Sequence, residues 1–388
     1  MSGMLLRLVC STAVTTSALL VPAPAAAAPD PAADPAVRPN TLPASPSRLL
    51  TDLQQLYRQA ERATETYNAT AEKLTKRQAD VERLDGQLVR ARLALQSSRG
   101  EVGRLARQQY QSSTGISAYV RLLLARDPQH ALDEGHVIGQ LTQDRAESVD
   151  QLTGDEKRAD DLARKARKAL DDQLTLEEQQ KKAREDVQRR LADVEKMLSS
   201  LSAEQLDQLA EFERNGTATA QRELLASGSL GDDRPPSRAG GRALRYAVEQ
   251  IGKPYRWGAE GPTAYDCSGL TSRAWGHAGR AIPRTSQEQW ARLPHVPLKK
   301  LRPGDLVVYF PEATHVALYL GNGMVVQAPR PGTRVKVSPI AANPVLGAVR
   351  PDPAGKPLRR YAPPRLPRGA MTGPDKGYWA AAPETDVR

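Results

Sequence analysis

The chain has 388 residues, with 26% charged residues, only 4% aromatic residues and a formal net charge of +10. This length allows two or three folded units and excludes a single small domain. Glu, Lys, Arg, Gln, Ala and Leu dominate the first half, whereas aromatic residues and glycines concentrate after residue 240. We therefore expect an extended first half and a compact core in the second half.

The first 28 residues have the pattern of a secretory signal peptide. Arg7 supplies a positive charge, residues 8–21 are mostly apolar, and small residues suited to cleavage follow up to Ala28. The apolar run is shorter than the roughly 20 residues that a membrane span needs. The sequence therefore predicts export with cleavage of residues 1–28, and no stable membrane span in the mature chain.

A Pro/Ala-rich leader, residues 29–47, precedes a long helical region at residues 48–214. Apolar residues recur there at spacings of three and four, which is the stripe of a coiled coil. The pattern breaks near Ser112–Pro128, around the apolar patch Tyr119–Leu124. Two long helices joined by a short element predict an antiparallel coiled-coil hairpin, and a parallel dimeric coiled coil is the alternative.

Three further segments follow the helical region. Residues 215–241 are rich in Gly, Ser and Pro and predict a linker. Residues 242–351 contain the signals of a compact domain, beginning with a helix at Arg242–Ile251. Residues 352–388 are rich in Pro and Arg, so we expect a disordered tail.

The compact domain contains Cys267, the one cysteine that remains after Cys10 leaves with the signal peptide. Asp266 suits a helix N-cap, which places Cys267 in the first helical turn. Unpaired N–H groups at a helix start favour the thiolate and can hold an oxyanion, and the amides of Cys267 and Ser268 are the natural donors. The alternative interpretation is a buried, inert thiol.

A thiolate needs a base, and His315 begins the predicted strand THVALYLG. The segment Gly321–Gly323 is a strong hairpin signal between this strand and the next one. Folding the chain about residue 321 sets His315 opposite roughly residue 327. Gln327 is then placed to orient one ring nitrogen and leave the other for Cys267, which is the logic of a catalytic triad.

Six motifs occur in order: GKPYRWG, YDCSGL, PRTSQEQW, LRPGDLVVYF, THVALYLGNG and VVQAP. Together they resemble the NlpC/p60 family of cell-wall cysteine peptidases over about residues 243–350. The resemblance implies a papain-like α+β fold, in which a helix bearing the cysteine packs on a small antiparallel sheet. It implies Cys267 as nucleophile, His315 as base and Gln327 as third residue, although many family members carry histidine at that third position.

The resemblance also implies roles around the nucleophile. Tyr255 occupies the family position near the oxyanion site, and Asp266 and Ser268 lie where family members contact substrate. Arg284 and Ser286 match a motif near the cleft. The family needs no metal, and no Cys/His cluster has zinc-ligand spacing, so we expect no cofactor.

The function that follows is a secreted, wall-associated peptidoglycan endopeptidase. The resemblance implies cleavage of stem peptides between D-glutamate and a diamino acid, in wall remodelling or daughter-cell separation. The coil would restrain the peptidase or recruit it to division or wall-synthesis proteins. The net charge of +9 on residues 240–350 suits an anionic wall rather than nucleic acid. The alternatives are an acyltransferase or amidase on the same scaffold, and a non-catalytic wall-binding scaffold.

Overall fold

The computed structural model describes residues 45–112, 120, 127–231 and 234–373. The predicted signal peptide, most of the leader, most of the patch Tyr119–Leu124 and the last residues of the tail lie outside the described part. The helices are α1 Pro46–Ser112, α2 Pro128–Ser199, α3 Ala203–Ala226, α4 Arg238–Glu249, α5 Cys267–His277 and α6 Ser286–Arg292. The strands are β1 His295–Val296, β2 Leu306–Tyr309, β3 His315–Gly321, β4 Met324–Gln327, β5 Lys336–Pro339 and β6 Val345–Val349.

Helices α1 and α2 pack against each other as an antiparallel hairpin. Arg77 of α1 contacts Asp172 of α2 (3.6 Å), and Arg99, further along α1, contacts Glu156, which lies earlier in α2 (2.8 Å). Helix α2 begins at Pro128, whose missing N–H is harmless at a helix start, and the Asp127 carboxylate caps it. Among the described helices, none combines the length and the apolar character that crossing a membrane requires.

Helix α3 replaces the first part of the predicted linker, residues 215–226. The Ser202 side chain accepts from the Gln205 amide while the Gln205 side chain accepts from the Ser202 amide, and this capping box starts a helix that continues to Ala226. The Gln221 side chain then donates to the Gly323 carbonyl (2.9 Å) and accepts from the Ala341 amide (3.1 Å). Residues 215–226 are therefore a helix docked on the sheet, and the linker prediction is wrong for them.

The sheet has the strand order β1-β6-β2-β3-β4-β5, with every neighbouring pair antiparallel. Alternate residues of β3 supply its two faces: Val316 and Leu318 join the cluster that contains Trp275 of α5, and Ala317 and Tyr319 face the other way. The second face packs against a partly buried leucine of α3. The architecture is α+β, as predicted.

The compact domain extends past both ends of the predicted range 242–351. Helix α4 begins at Arg238, because the Ser237 side chain caps it by accepting from the Gly240 amide. At the other end, the Val337 amide donates to the Ala370 carbonyl (2.8 Å), and Ala370 is buried. The prediction of a disordered tail is therefore wrong for residues 352–373, because a Pro-rich segment can still pack and offer its carbonyl groups to a sheet edge.

Candidate active site

Cys267 is the first residue of α5. The Asp266 carboxylate caps this helix by accepting from the Gly269 amide (2.6 Å), so the cysteine lies in the first turn as predicted from the N-cap. Glycine is required at 269 because a Cβ there would overlap the Ala259 carbonyl oxygen. The motif YDCSGL thus holds the thiol at a helix start that packs tightly on the preceding loop.

Arg284 fixes the residues on either side of the thiol. Its guanidinium donates to both Asp266 carboxylate oxygens (3.0 and 2.7 Å) and to the Ser268 hydroxyl oxygen (2.8 Å). Arg284 and Asp266 are both buried, and bidentate pairing satisfies the two charges away from water. Three residues that the resemblance places near the substrate therefore form one hydrogen-bonded group.

His315 is the first residue of β3 and is completely buried. Its Nε2 lies 2.7 Å from the Oε1 of Gln327, the last residue of β4. The structure therefore brings together the two residues that the hairpin argument paired, and leaves Nδ1 on the other side of the ring.

The register of this hairpin differs from the expected one. Leu318 lies opposite Val326, and the pairing shifts between Tyr319 and Gly321. Continuing this register sets Gln327 opposite Ala317, which shares a sheet face with His315, so the prediction of direct opposition is wrong by two residues. The irregularity at the turn shifts β4 relative to β3. The long Gln327 side chain then reaches diagonally across the two strands to His315.

The thiol of Cys267 faces the start of β3. The backbone N–H of Val316, the residue after His315, approaches the sulfur closely enough to act against a rise in the pKa of the thiol. The start of α5 and the start of β3 therefore meet at the thiol.

Helix α1 covers this site. The Glu65 carboxylate accepts from the Ser268 hydroxyl (2.7 Å) and from the Ser286 amide (3.1 Å), and lies 3.7 Å from the Cys267 sulfur. Glu61, one turn earlier, places an oxygen 3.3 Å from His315 Nδ1. Both catalytic candidates are therefore covered by acidic side chains of one helix.

Two more residues of α1 extend the contact beyond the thiol. The Asn68 amide donates to the Asp266 carboxylate (3.1 Å). The rings of Tyr67 and Trp257 meet edge to face, with centroids 5.1 Å apart. As a result only 3% of the Cys267 surface is exposed.

Residues 252–347 match the profile of the NlpC/P60 family. This part of the chain is an NlpC/P60 domain. A Corynebacterium glutamicum protein named probable endopeptidase Cgl2188 is 43% identical over 116 residues, which cover 30% of this chain and 56% of that protein. The match thus spans little more than half of that relative.

Two solved structures also match this domain. The NlpC/p60 domain of the peptidoglycan hydrolase SagA is 32% identical, and the match covers 29% of this chain and 97% of that one, with a TM-score of 0.27. RipD of Mycobacterium tuberculosis, described as a non-catalytic NlpC/p60 domain protein adapted to peptidoglycan binding, is 31% identical. That match covers 30% of this chain and 98% of RipD, with a TM-score of 0.27.

The covered site of the NlpC/P60 domain disfavours the reactive thiolate. Burial raises the pKa of the Cys267 thiol well above its ordinary value, and the Glu65 carboxylate adds to this rise. Burial also raises the pKa of Glu65 from 4.5 to about 7, with help from Asp266. The Cys267 thiol therefore holds its proton at neutral pH, and Glu65 keeps a proton at pH values where a free carboxyl group has lost it.

His315 shows the opposite balance. Burial acts to lower the pKa of its imidazole, but Glu61, Gln327 and Glu65 together outweigh burial, so the pKa is raised. The raised pKa shifts the ring towards its protonated form, and a protonated imidazole cannot accept the proton of the thiol. The pKa shifts of Cys267 and His315 therefore both act against transfer of the thiol proton to the imidazole.

Tyr255 belongs to the same buried cluster as Cys267. Burial raises the pKa of its phenol well above the ordinary value, and Cys267 is the next largest cause. Its backbone amide donates to the Thr333 carbonyl (2.9 Å), which anchors it beside the thiol. Within the described residues, no group of three His, Cys, Asp or Glu side chains is arranged to hold a metal ion.

The residues of α1 that line the site were not predicted, because the heptad pattern assigned this stretch to the coil. A signal exists in the sequence. Glu61, Glu65 and Asn68 lie at spacings of four and three, so they share one helix face, and Tyr67 is one of few aromatic residues in the first half. An isolated coil would expose such a polar face.

Proposed function

We propose that this chain is a secreted, wall-associated cysteine endopeptidase that hydrolyses amide bonds in the stem peptides of peptidoglycan. The observation that carries the proposal is the position of Cys267 at a helix start, with its sulfur at the backbone N–H of Val316. Val316 directly follows His315, whose Nε2 is held by Gln327. The relatives named probable endopeptidases support the same class of reaction.

In the proposed mechanism, His315 Nδ1 takes the proton of the Cys267 thiol and the sulfur attacks the scissile carbonyl carbon. The carbonyl oxygen becomes an oxyanion, held by the backbone N–H groups at the start of α5 and assisted by Tyr255. The leaving amine takes the proton from the imidazolium and a thioester remains. Water, deprotonated by His315, then releases the acyl group as a carboxylate.

The contacts of Glu65 support a substrate with a free carboxylate near the scissile bond. A carboxylate at this place accepts from the Ser268 hydroxyl and the Ser286 amide, next to the Arg284 guanidinium. A D-glutamyl residue joined through its γ-carboxyl keeps its α-carboxylate free. We therefore propose the bond between D-glutamate and the diamino acid as the cleaved bond.

We further propose that α1 restrains the enzyme. Substrate cannot reach a thiol that Glu65 and Glu61 cover, so α1 has to withdraw before catalysis begins. Recruitment to division or wall-synthesis proteins through the helical hairpin is compatible with this restraint, since a partner that binds α1 in its withdrawn position would activate the enzyme.

The test uses the full mature chain with Glu61→Lys and Glu65→Lys. Lysine keeps the helix but places cations against His315 and Arg284, which disfavours the covered state. Faster alkylation of Cys267 than in the parent first establishes that the site is open. Purified peptidoglycan is then digested, and fragments cut after D-glutamate are expected in mass spectra, absent when Cys267→Ala is added.

Other outcomes separate the alternatives. A rapidly alkylated thiol with no change in the wall sugars or peptides would overturn the peptidase proposal and favour a binding scaffold. Products in which the acyl group has been transferred to a new acceptor would favour the acyltransferase hypothesis. Cleavage of an amide outside the stem peptide would favour the amidase hypothesis.

A further inference from the structure

Successive turns of helix α1 contact successive parts of the candidate active site. We call the surface between the start of α5 and the start of β3 the cleft of the NlpC/P60 domain. Glu65 covers Cys267, Glu61 covers His315, and Tyr57 lies one turn further towards the start of the helix. Eight residues separate Tyr57 from Glu65, which corresponds to about 12 Å along the axis. The helix therefore follows the cleft past both reacting side chains, and Tyr57 marks a third place in it.

Arg330 is the residue beneath Tyr57. Its guanidinium carbon lies 3.6 Å from the centroid of the Tyr57 ring, and only 4% of its surface is exposed. It follows β4 by three residues, in a tight turn where its amide donates to the Thr333 hydroxyl (3.1 Å). The turn fixes the backbone of Arg330 just beyond Gln327, on the side of the site that holds the imidazole.

An acidic side chain of the helical region, Glu213 of α3, lies near the ring that covers this cation. Burial raises the pKa of the Tyr57 phenol, Arg330 acts against the rise and Glu213 of α3 acts with it, so both charges lie near that ring. Glu213 is buried, and a cavity of about 50 Å³ is lined by Tyr57, Glu61, Phe310 and Arg330. Glu61, which lines this cavity, is also the residue that contacts His315 Nδ1.

The role of His315 as the base indicates which half of the substrate lies next to Arg330. The imidazole has to pass its proton to the leaving amine, so the leaving half of the substrate extends along the His315 side. The acyl half extends towards Ser268 and Arg284, where Glu65 places its carboxylate. Arg330 is therefore next to the leaving half.

We propose that Arg330 determines specificity by binding a carboxylate on the leaving half of the stem peptide, at the place that Tyr57 covers in this structure. The inference rests on the proposed function. A guanidinium pairs with a carboxylate in a planar, bidentate fashion that an ammonium group does not match. The carboxylate comes from the side chain of the diamino acid or from the terminal D-alanine.

The spacing agrees with this assignment. An extended peptide advances about 3.5 Å per residue, and the γ-linkage of D-glutamate adds two carbons. The free carboxylate of D-glutamate and a carboxylate one or two residues past the scissile bond are then roughly 10–12 Å apart. This matches the distance of about 12 Å between the places of Glu65 and Tyr57 along α1.

The test compares synthetic tetrapeptide stems in the full mature chain carrying Glu61→Lys and Glu65→Lys, first shown to be open by alkylation of Cys267. One peptide has every carboxyl free, a second has the diamino-acid side-chain carboxyl amidated, and a third has the terminal D-alanine amidated. We expect one of the two amides to lower kcat/KM about tenfold, mainly through KM, which identifies the source of the carboxylate.

Arg330→Gln in the same chain is expected to lower kcat/KM for the free-acid peptide about tenfold and to remove the discrimination against that amide. Arg334→Gln is the matched control, since Arg334 lies in the same turn region but is exposed and donates to the Gly252 carbonyl. Arg330→Lys should keep part of the discrimination, because it retains the charge without the planar fork.

Three results would overturn the inference. Equal kcat/KM for the three peptides, or discrimination that survives Arg330→Gln, would show that Arg330 binds no carboxylate while the peptidase stands. Equal losses of kcat for all three peptides in Arg330→Gln would indicate a structural role. Absence of cleavage of every peptide by the open chain would overturn the proposed function and this inference with it.

Discussion

Gln327 holds the imidazole of His315 by a single hydrogen bond from ring Nε2–H to its amide oxygen. A glutamine can orient the ring in this way but cannot carry charge, so it does not stabilise the imidazolium as an anionic residue would. The other charges that act on His315 in this structure come from α1, principally from Glu61. At the residue scale, the group that orients the ring thus belongs to the NlpC/P60 domain itself, whereas the carboxylates that raise the pKa of the ring belong to α1.

The first prediction concerns this orienting bond. In the chain that carries Glu61→Lys and Glu65→Lys, Gln327→Ala should lower kcat by about tenfold to a hundredfold, because the His315 ring loses its fixed orientation. Gln327→His in the same chain should restore most of this loss. Steady-state kinetics on a stem peptide measures both. The His variant should also alter the pH profile of kcat, whereas a purely structural role would lower stability and leave the profile unchanged.

The second prediction is a pH dependence of closure. Burial, together with Asp266, raises the pKa of Glu65 from 4.5 to about 7 in the covered state. With α1 over the site, Glu65 therefore keeps a proton that it releases when α1 has withdrawn. Below pH 4.5 Glu65 is protonated in both states, so its ionisation does not oppose the covered state. As the pH rises from 4.5 to about 7, ionisation of Glu65 increasingly favours the withdrawn state. The raised pKa of His315 acts in the same direction.

Alkylation of Cys267 should therefore accelerate between pH 5 and 7 by more than thiolate formation explains, with an upper limit of about a hundredfold. Glu65→Gln is the control, since it cannot ionise and its open state has the same thiol. The ratio of the parent rate to the Glu65→Gln rate should rise with pH. A constant ratio would show that ionisation of Glu65 does not control closure.

At the scale of elements, α1 serves two partners. One side packs on α2 and α3, where Leu53 joins Val194 and Leu209 in a buried cluster. Another side presents Glu61 and Glu65 to the NlpC/P60 domain. A helix with a single apolar stripe would expose its remaining faces. The burial of Glu61 and Glu65 therefore shows that a second face of α1 is in contact with protein.

The third prediction tests that contact. Glu65→Lys alone should increase the rate of Cys267 alkylation at pH 7 by at least tenfold, because the lysine cannot replace the contacts to Ser268 and Ser286 and lies next to Arg284. Glu82→Lys, an exposed position of the same helix, makes the same charge change and should leave the rate unaltered. Peptide mass mapping localises the label, and equal rates in the two variants would contradict the covering role of α1.

At the scale of the whole molecule, two helices of the described helical region contact the NlpC/P60 domain. Helix α1 lies over Cys267 and His315, and the end of α3 contacts the β3–β4 turn and the segment after β5 through Gln221. The segment after β6 returns to the domain, where Ala370 packs into the core cluster and pairs with Val337 at the β5 edge. The folded domain therefore includes residues well outside the range that its motifs mark.

The fourth prediction concerns this returning segment. Ala370→Asp should lower the free energy of unfolding by about 2 kcal/mol, because it buries an unpaired carboxylate in the core. Met371→Asp, the neighbouring position with 58% exposure, should change it by less than about 0.5 kcal/mol. Urea denaturation followed by tryptophan fluorescence measures both values, and equal effects would indicate that the segment does not contribute to the core.

The sequence by itself determined the local parts of this protein. The N-cap at Asp266, the helix that begins with Cys267, the hairpin around Gly321–Gly323 and the long helical region are each set by neighbouring residues, and motif order indicated the family. Local capping and turn chemistry act over a few residues, which is why these predictions succeeded.

Only the tertiary structure decided which surfaces meet. Glu65 contacts a thiol about two hundred residues away, the bulge at Gly321 sets the register of Gln327, and residues 352–373 complete a core that they follow in the chain. Hydrophobic periodicity reports that a face is buried but not what buries it, and a polar face reads as solvent-exposed until its partner is known. The covered state of the active site is therefore a property of the folded chain.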